Sequence, residues 1–248
     1  MQSLIIPNLS IRVAEKEVVR DLSLSIGSGE VHALMGPNGS GKSSLAYALA
    51  GHPEYLITCG SAMLDSVDPV RGKTSNGADL LALAPEKRAE VGLFLSFQEP
   101  PEVGGVSMST FLQMIGLGED KGTRREPKDI LPEIGLHASF LSRFLNEGFS
   151  GGEKKKSELL QLIARRPKIA ICDEIDSGLD LDALKGVAQV LRGEAEHGTA
   201  LLLISHSPRL FELIKPDFVH ILLAGRLAAS GGLEVLEKLE QGGYKDFE

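Results

Sequence analysis

Gly36-Pro37-Asn38-Gly39-Ser40-Gly41-Lys42-Ser43 is the stretch that decides the fold of this chain. Its residues satisfy the pattern Gly-x-x-x-x-Gly-Lys-Ser/Thr, and its flanks fit too. The apolar residues 31–35 before it read as a strand, and residues 42–50 after it are strong helix formers, ending at Gly51 with Pro53 beyond. In a strand–loop–helix context, glycines let successive backbone N–H groups point inward, beside a helix N-terminus carrying partial positive charge. That is a cradle for the phosphates of a nucleotide. The whole run, with Ser44, is the expected nucleotide-binding loop. Lys42 is expected to reach the β- and γ-phosphates, and the Ser43 hydroxyl to be a ligand of Mg2+.

Working outward, residues 11–13 and 18–26 carry the β-branched and apolar content of strands, closed by the turn Gly27-Ser28-Gly29. Residues 56–90 are broken by Asp68-Pro69, Arg71-Gly72 and Ser75-Asn76-Gly77, which mark loops, and Pro85 to Arg88 reads as the first turn of a short helix. Residues 91–97 have strand length. Helical spacing governs residues 107–145, through Phe111, Leu112, Ile115 and Leu117 and then Phe140, Leu141, Phe144 and Leu145, around an exposed loop at 118–132. From Gly151 onward the pattern alternates: helix 153–165, strand 168–172, helix 181–196, strand 199–205, helix 208–214, strand 217–223, and a last amphipathic helix at 233–239. Alternation of this kind predicts a layered, largely parallel α/β core. The expected organisation is one domain over 1–248. Its α/β catalytic core spans 1–98 and 150–248, with an N-terminal antiparallel β part, and residues 99–149 form an inserted helical subdomain.

Two further motifs carry chemistry. Lys168-Ile169-Ala170-Ile171-Cys172-Asp173-Glu174 is an apolar strand ending in two carboxylates. A carboxylate at such a strand end holds Mg2+ through its water shell, the role expected of Asp173. Glu174, one residue on, points differently and can polarise an attacking water as general base. Phe149-Ser150-Gly151-Gly152-Glu153 offers a hydroxyl, free N–H groups and a helix N-terminus, all suited to a γ-phosphate. Within one subunit it would duplicate the phosphate loop, so it makes sense closing over the nucleotide of a neighbour.

Composition narrows the class. The net charge of −8 argues against a general nucleic-acid binder. The two cysteines, Cys59 and Cys172, lie far apart without ligand spacing, and Cys172 reads as a small core hydrophobe. No window approaches the roughly 18 continuous apolar residues of a membrane span, and residues 1–9 lack the basic and apolar segments of a signal peptide. A cytoplasmic protein is expected, without direct membrane insertion.

The phosphate loop, Gln98 after an apolar strand, Ser150-Gly151-Gly152-Glu153, Asp173-Glu174, Ser177-Gly178-Leu179-Asp180 and His206 after strand 199–205 come in the order of the ABC ATPases. The chain resembles that family over nearly its whole length. The resemblance implies an ABC-type nucleotide-binding domain with the P-loop NTPase fold and an Mg2+-dependent ATPase activity. Gln98 would contact Mg2+ and the attacking water, and His206 the γ-phosphate. Lys42, Gln98, Glu174 and His206 are then the catalytic set, with Ser43, Gln98 and, through water, Asp173 at the metal. Ser150, Gly151, Gly152, Glu153 and Asp180 would act in trans across a transient, ATP-dependent homodimer.

Within the family, Phe149-Ser150-Gly151-Gly152-Glu153-Lys154-Lys155-Lys156, Asp173-Glu174-Ile175-Asp176, Phe97-Gln98-Glu99-Pro100-Pro101 and Ile214-Lys215-Pro216-Asp217-Phe218 are similar to the SufC branch, the ATPases of SUF iron–sulfur cluster assembly. That resemblance implies scaffold partners of the SufB or SufB/SufD type, docking on Gln98 and the insert. The alternative is the nucleotide-binding subunit of a membrane transporter, which shares every nucleotide-binding residue. Lys155 is expected to pair with Glu174 at rest, and the absence of an aromatic residue at 13–16 predicts apolar contacts to the adenine. His32, His52, His137, His197 and His220 are expected to be structural.

Overall fold

The computed structural model describes residues 2–67, 74–116 and 127–247. The chain begins with a long hairpin, β1 (Gln2–Val13) and β2 (Lys16–Gly27), followed by β3 (Val31–Met35), the phosphate loop and α1 (Lys42–Ala50). Three antiparallel strands come next, β4 (Tyr55–Cys59), β5 (Met63–Val67) and β6 (Thr74–Asp79), then α2 (Pro85–Val91) and β7 (Leu93–Ser96). The segment that follows holds β8 (Val103–Ser107), α3 (Met108–Met114), α4 (Pro127–Ile130) and β9 (Phe144–Leu145). The rest alternates as α5 (Gly151–Arg165), β10 (Ile169–Asp173), α6 (Leu181–Glu196), β11 (Ala200–Ile204), α7 (Pro208–Ile214) and β12 (Phe218–Leu223), closing with β13 (Arg226–Gly231) and α8 (Leu233–Gly242).

Two sheets carry the body. One has the order β2-β1-β5-β6, with β4 also paired to β1, and is antiparallel throughout. The other has the order β13-β12-β3-β11-β10-β7, parallel except for the edge strand β13. The parallel strands are buried on both faces, so they read as continuous apolar runs, yet their side chains still sort by alternation. Val31, Ala33, Met35, Ala170, Cys172, Leu201 and Leu203 face the layer of α5, α6, α7 and α8. Leu34, Ile169, Ile171, Leu202 and Ile204 face α1 and the antiparallel sheet. Cys172 is fully buried in the first layer, as expected, and burial pushes its thiol up to about 12.

Two expectations need correction. The stretch 56–90 is not simply broken by loops: β4 pairs with β1 through Tyr55↔Val13 to Cys59↔Ser10, β5 carries buried Leu64 in the same sheet, and Ser75-Asn76-Gly77, expected as a loop, lies within β6 because β5 offers it an edge. The loops expected at Asp68-Pro69 and Arg71-Gly72 lie outside the described residues. The segment after Gln98 is also less helical than its spacing predicts. Its two-stranded sheet β8–β9 was not read, because Val103-Gly104-Gly105-Val106-Ser107 has no alternation. Residues 117–126 of the expected 118–132 loop lie outside the described residues, and its end is a helical turn with Ile130 and Leu131 buried. Met108, Leu112, Ile134 and Phe140 of this segment join the same apolar cluster as α5 and β10, so α5 links it to the body.

Candidate active site

The strand order places the site. Neighbouring parallel strands β3, β11, β10 and β7 all end on one side of the sheet. Beyond their C-terminal ends come, in turn, the phosphate loop, His206, Asp173-Glu174 and Gln98. In open α/β sheets that edge is where ligands bind. Asn38, Gly39, Gly41, Lys42, Ser43, Ser44, Gln98, Glu174 and His206 line one cleft there, of about 440 Å³.

The phosphate loop is held by its surroundings. The Gly225 N–H donates to the Ser40 carbonyl at 3.0 Å, and Arg20 N–H in turn donates to the Gly225 carbonyl. Gly41 has φ +109°, and a Cβ there would lie 2.5 Å from the Val18 carbonyl oxygen. Only glycine fits that approach. The Lys42 ammonium donates to the carbonyls of Gly36 at 2.8 Å and Pro37 at 3.0 Å. Burial lowers its pKa, against the pull of Asp173 and Glu174.

Glu174 is a non-glycine residue with φ +51°, a conformation costing about 1 kcal/mol for an L-residue. Its N–H still donates to the Ile204 carbonyl at 2.8 Å, extending the β10–β11 ladder while the left-handed turn redirects the side chain into the cleft. There Gln98 Nε2 donates to Glu174 Oε2 at 2.7 Å, and His206 Nδ1 lies 3.4 Å from Glu174 Oε1. The His206 side chain is 64% exposed.

Asp173 behaves differently. Its carboxylate is buried, and among the described residues neither oxygen makes a well-formed hydrogen bond, although the Ser43 hydroxyl lies close enough to favour its charged form. Burial raises its pKa, opposed by the neighbouring Ser43 hydroxyl and by Lys155 and Lys42. A buried carboxylate so weakly hydrogen-bonded is costly, and a cation close to it would lower that cost. With the Ser43 hydroxyl and the Gln98 amide oxygen it makes a donor set of hard oxygens, which fits Mg2+. Among the described residues no group of three or more His, Cys, Asp or Glu could hold a metal by itself. Mg2+ takes few protein ligands and keeps several waters, so Ser43 and Gln98 with phosphate oxygens, and Asp173 at one remove through water, would suffice for it.

Lys155 does not pair with Glu174. Its ammonium donates to the backbone carbonyls of Phe97 at 3.0 Å, Gln98 at 2.9 Å and Asp173 at 3.4 Å, and is buried among them. One turn along α5, the buried Glu158 accepts the Phe97 N–H at 2.9 Å, and burial pushes its carboxyl up to about 7. Together they clamp the peptide that carries Gln98. Sequence reading missed Glu158. The available signal was a Lys and a Glu spaced i, i+3 on a helix face that also carries Leu159 and Leu162.

The remaining predicted residues lie apart. Ser150 caps α5, accepting the Glu153 N–H at 3.2 Å while Glu153 accepts the Ser150 N–H at 2.9 Å. Arg143 pairs with the same Glu153 carboxylate. Gly151 lines a second cavity of about 570 Å³, with Gln98, Glu99, Ser177 and Gly178 on its walls. Asp180 caps α6 through Ala183 N–H at 2.8 Å. None of these lines the cleft of the phosphate loop.

Comparison with known proteins follows the same lines. The ABC transporter family model matches residues 19–177. The Escherichia coli (strain K12) protein named "Probable ATP-dependent transporter SufC" is 40% identical over 249 residues, covering 96% of each chain. "Vegetative protein 296" of Bacillus subtilis (strain 168) is 42% identical over 250 residues, 98% of this chain and 92% of its own. Among solved structures, an ATP-binding subunit of an ABC transporter superposes with a TM-score of 0.75 at 24% identity, covering 97% of this chain and 94% of its own. A nucleotide-free ATP-binding cassette does so at 0.74 and 21% identity, with 97% and 96% coverage. At those identities the likeness is one of fold.

Proposed function

The chain belongs to the ABC transporter family, and from that premise we propose that it is the Mg2+-dependent ATPase of a SUF-type iron–sulfur cluster scaffold. Family membership makes it an ATP-binding subunit with an ABC ATPase domain. The observation that carries the reading is the convergence of Lys42, Ser43, Gln98, Glu174 and His206 on one cleft.

Lys42 exchanges its contacts with the Gly36 and Pro37 carbonyls for the β- and γ-phosphates of ATP, with the backbone N–H groups of residues 38–44 around them. Ser43, Gln98 and, through water, Asp173 would hold Mg2+, which when bound would neutralise charge on the phosphates. Glu174 accepts the proton of the attacking water as general base. Gln98, already bonded to Glu174, sets where that carboxylate rests, and His206 stands beside it to meet the γ-phosphate.

Ser150, Gly151, Gly152, Glu153 and Asp180 would complete the site of a second copy. Their absence from the lining of the chain's own cleft, at the N-termini of α5 and α6, supports that reading. Closure of two copies around two ATP molecules supplies the shape change, and hydrolysis resets it. SufB or SufB/SufD-type scaffolds, in the cytoplasm, would receive that motion at Gln98 and the segment 99–149. Among the described residues no helix is long and apolar enough to cross a membrane.

Glu174→Gln should lower hydrolysis about 10²- to 10⁴-fold with ATP affinity unchanged, measured by phosphate release and nucleotide binding. The same variant, used as bait in native extract with and without ATP, tests the partner. Recovery of a β-rich, cysteine-bearing scaffold supports the SUF reading. Recovery of an integral membrane permease would replace it with transport and leave the ATPase chemistry standing.

A further inference from the structure

Two residues after Glu174 stands Asp176, in a turn closed by Ser177 N–H on the Glu174 carbonyl at 3.0 Å and Leu179 N–H on the Asp176 carbonyl at 3.3 Å. Its Oδ2 accepts the hydroxyl proton of Ser205 at 2.8 Å. The same Ser205 oxygen accepts the Ser207 N–H at 2.9 Å, and Ser205 is buried. A serine hydroxyl has one proton to give. Giving it to Asp176 leaves its lone pairs for Ser207, so the carboxylate fixes the direction of both bonds. The two residues flanking His206 are thereby tied to the turn that carries Glu174. The imidazole itself is largely exposed, so its place beside Glu174 depends on how its backbone is held.

Among the described residues Asp176 Oδ1 is buried without a well-formed hydrogen bond, with only the residue's own backbone N–H to assist the carboxylate beyond Ser205. A buried carboxylate oxygen so weakly hydrogen-bonded is destabilising, so this aspartate is a poor choice for the fold alone. We propose that Asp176, through Ser205, is a positioning residue that holds His206 in register with Glu174 for ATP hydrolysis. The inference deepens the ATPase reading and rests on it. Asp176 does not line the phosphate-loop cleft; it acts through the His206 loop.

Two variants separate the acceptor from the fold. Asp176→Asn keeps an oxygen for the Ser205 proton, and Asp176→Leu matches its size without one. Asp176→Leu should lower kcat on the order of 10- to 100-fold with KM for ATP within about twofold, the size of effect that misplacing a catalytic group produces. Asp176→Asn should stay within about threefold of wild type and melt with it, whereas Asp176→Leu leaves the buried Ser205 hydroxyl without its acceptor, so its rate is compared at a temperature where melting shows it fully folded. In a His206→Ala background, Asp176→Leu should cause no further loss, because residues acting as one unit are not additive. Wild-type kcat in Asp176→Leu, an equal loss in Asp176→Asn, or the full loss persisting without His206 would each overturn the proposal. A wild-type protein that hydrolyses no ATP would instead sink the ATPase reading. The imidazole Hε1 resonance of His206 still decides the inference in that case: it should move in Asp176→Leu and hold in Asp176→Asn, and a resonance unmoved in both would refute it.

Discussion

At the scale of single residues, buried charge explains more of this protein than surface pairing does. Lys155 neutralises three carbonyls that would otherwise be unmatched, and lies near buried Glu158. Lys155→Met should therefore destabilise the protein by roughly 2–4 kcal/mol in urea titration, as breaking buried polar sets does, and an unchanged midpoint would show the clamp to be idle. The buried histidines form a directed chain. His32 Nε2 lies 3.1 Å from Glu30 Oε2, His32 Nδ1 lies 2.9 Å from His220 Nε2, and His220 Nδ1 lies 2.8 Å from the Ser230 hydroxyl. One consistent assignment has both rings neutral, His220 donating to His32 and His32 to Glu30. Burial pushes His220 down to about 4 and lowers His32 as well. A folded pKa below the unfolded value of about 6.5 means that the contribution is intact above that pH. It is lost as pH falls from there toward 4, where the unfolded chain takes up protons that the folded one refuses. Glu158, raised by burial, has the opposite sign between about 4.5 and 7. The wild-type slope is thus a sum, and the diagnostic is the difference: His220→Asn should lose less stability than wild type between pH 7 and pH 5. Equal losses would remove the histidine pair from the account.

At the scale of elements, the phosphate loop and the strands around it were legible because their residue types leave few alternatives. Glycine at 41 is demanded by a positive φ and by the Val18 carbonyl, so Gly41→Ala should abolish ATP binding while the rest of the fold persists by circular dichroism. Retained binding would mean that the loop has slack which this geometry denies. Strands β3, β10 and β11 were read as apolar runs because both their faces are buried. Strands β4 and β8 went unread, since the five residues Tyr55–Cys59 show no polar–apolar alternation to mark a buried face, and β8 is Val103-Gly104-Gly105-Val106-Ser107, with two glycines at its centre. They form because a neighbour offers an edge, which is information from elsewhere in the chain. The Lys155–Glu174 pairing failed for a related reason. A lysine on the buried face of α5 meets backbone carbonyls before it can reach a carboxylate in the cleft.

At the scale of the whole molecule, one sheet order brings four loops to a single edge, and Ser150-Gly151-Gly152 is not among the residues that line the cleft there. The central claim is that a working site needs the cleft of one copy and the α5 N-terminus of another. Mixing two crippled proteins tests it. Glu174→Gln lacks its own base but keeps an intact Ser-Gly-Gly. Gly151→Asp keeps its base and spoils that helix end, and a Cβ at Gly151 meets nothing within 4 Å, so the variant is expected to fold, which circular dichroism checks. Each alone should be nearly inactive. In an equimolar mixture, mixed dimers hold one complete site each, and hydrolysis should recover to about a quarter of the wild-type rate. A mixture as inactive as its components, or a Gly151→Asp protein that hydrolyses ATP normally by itself, would contradict a site shared between two copies.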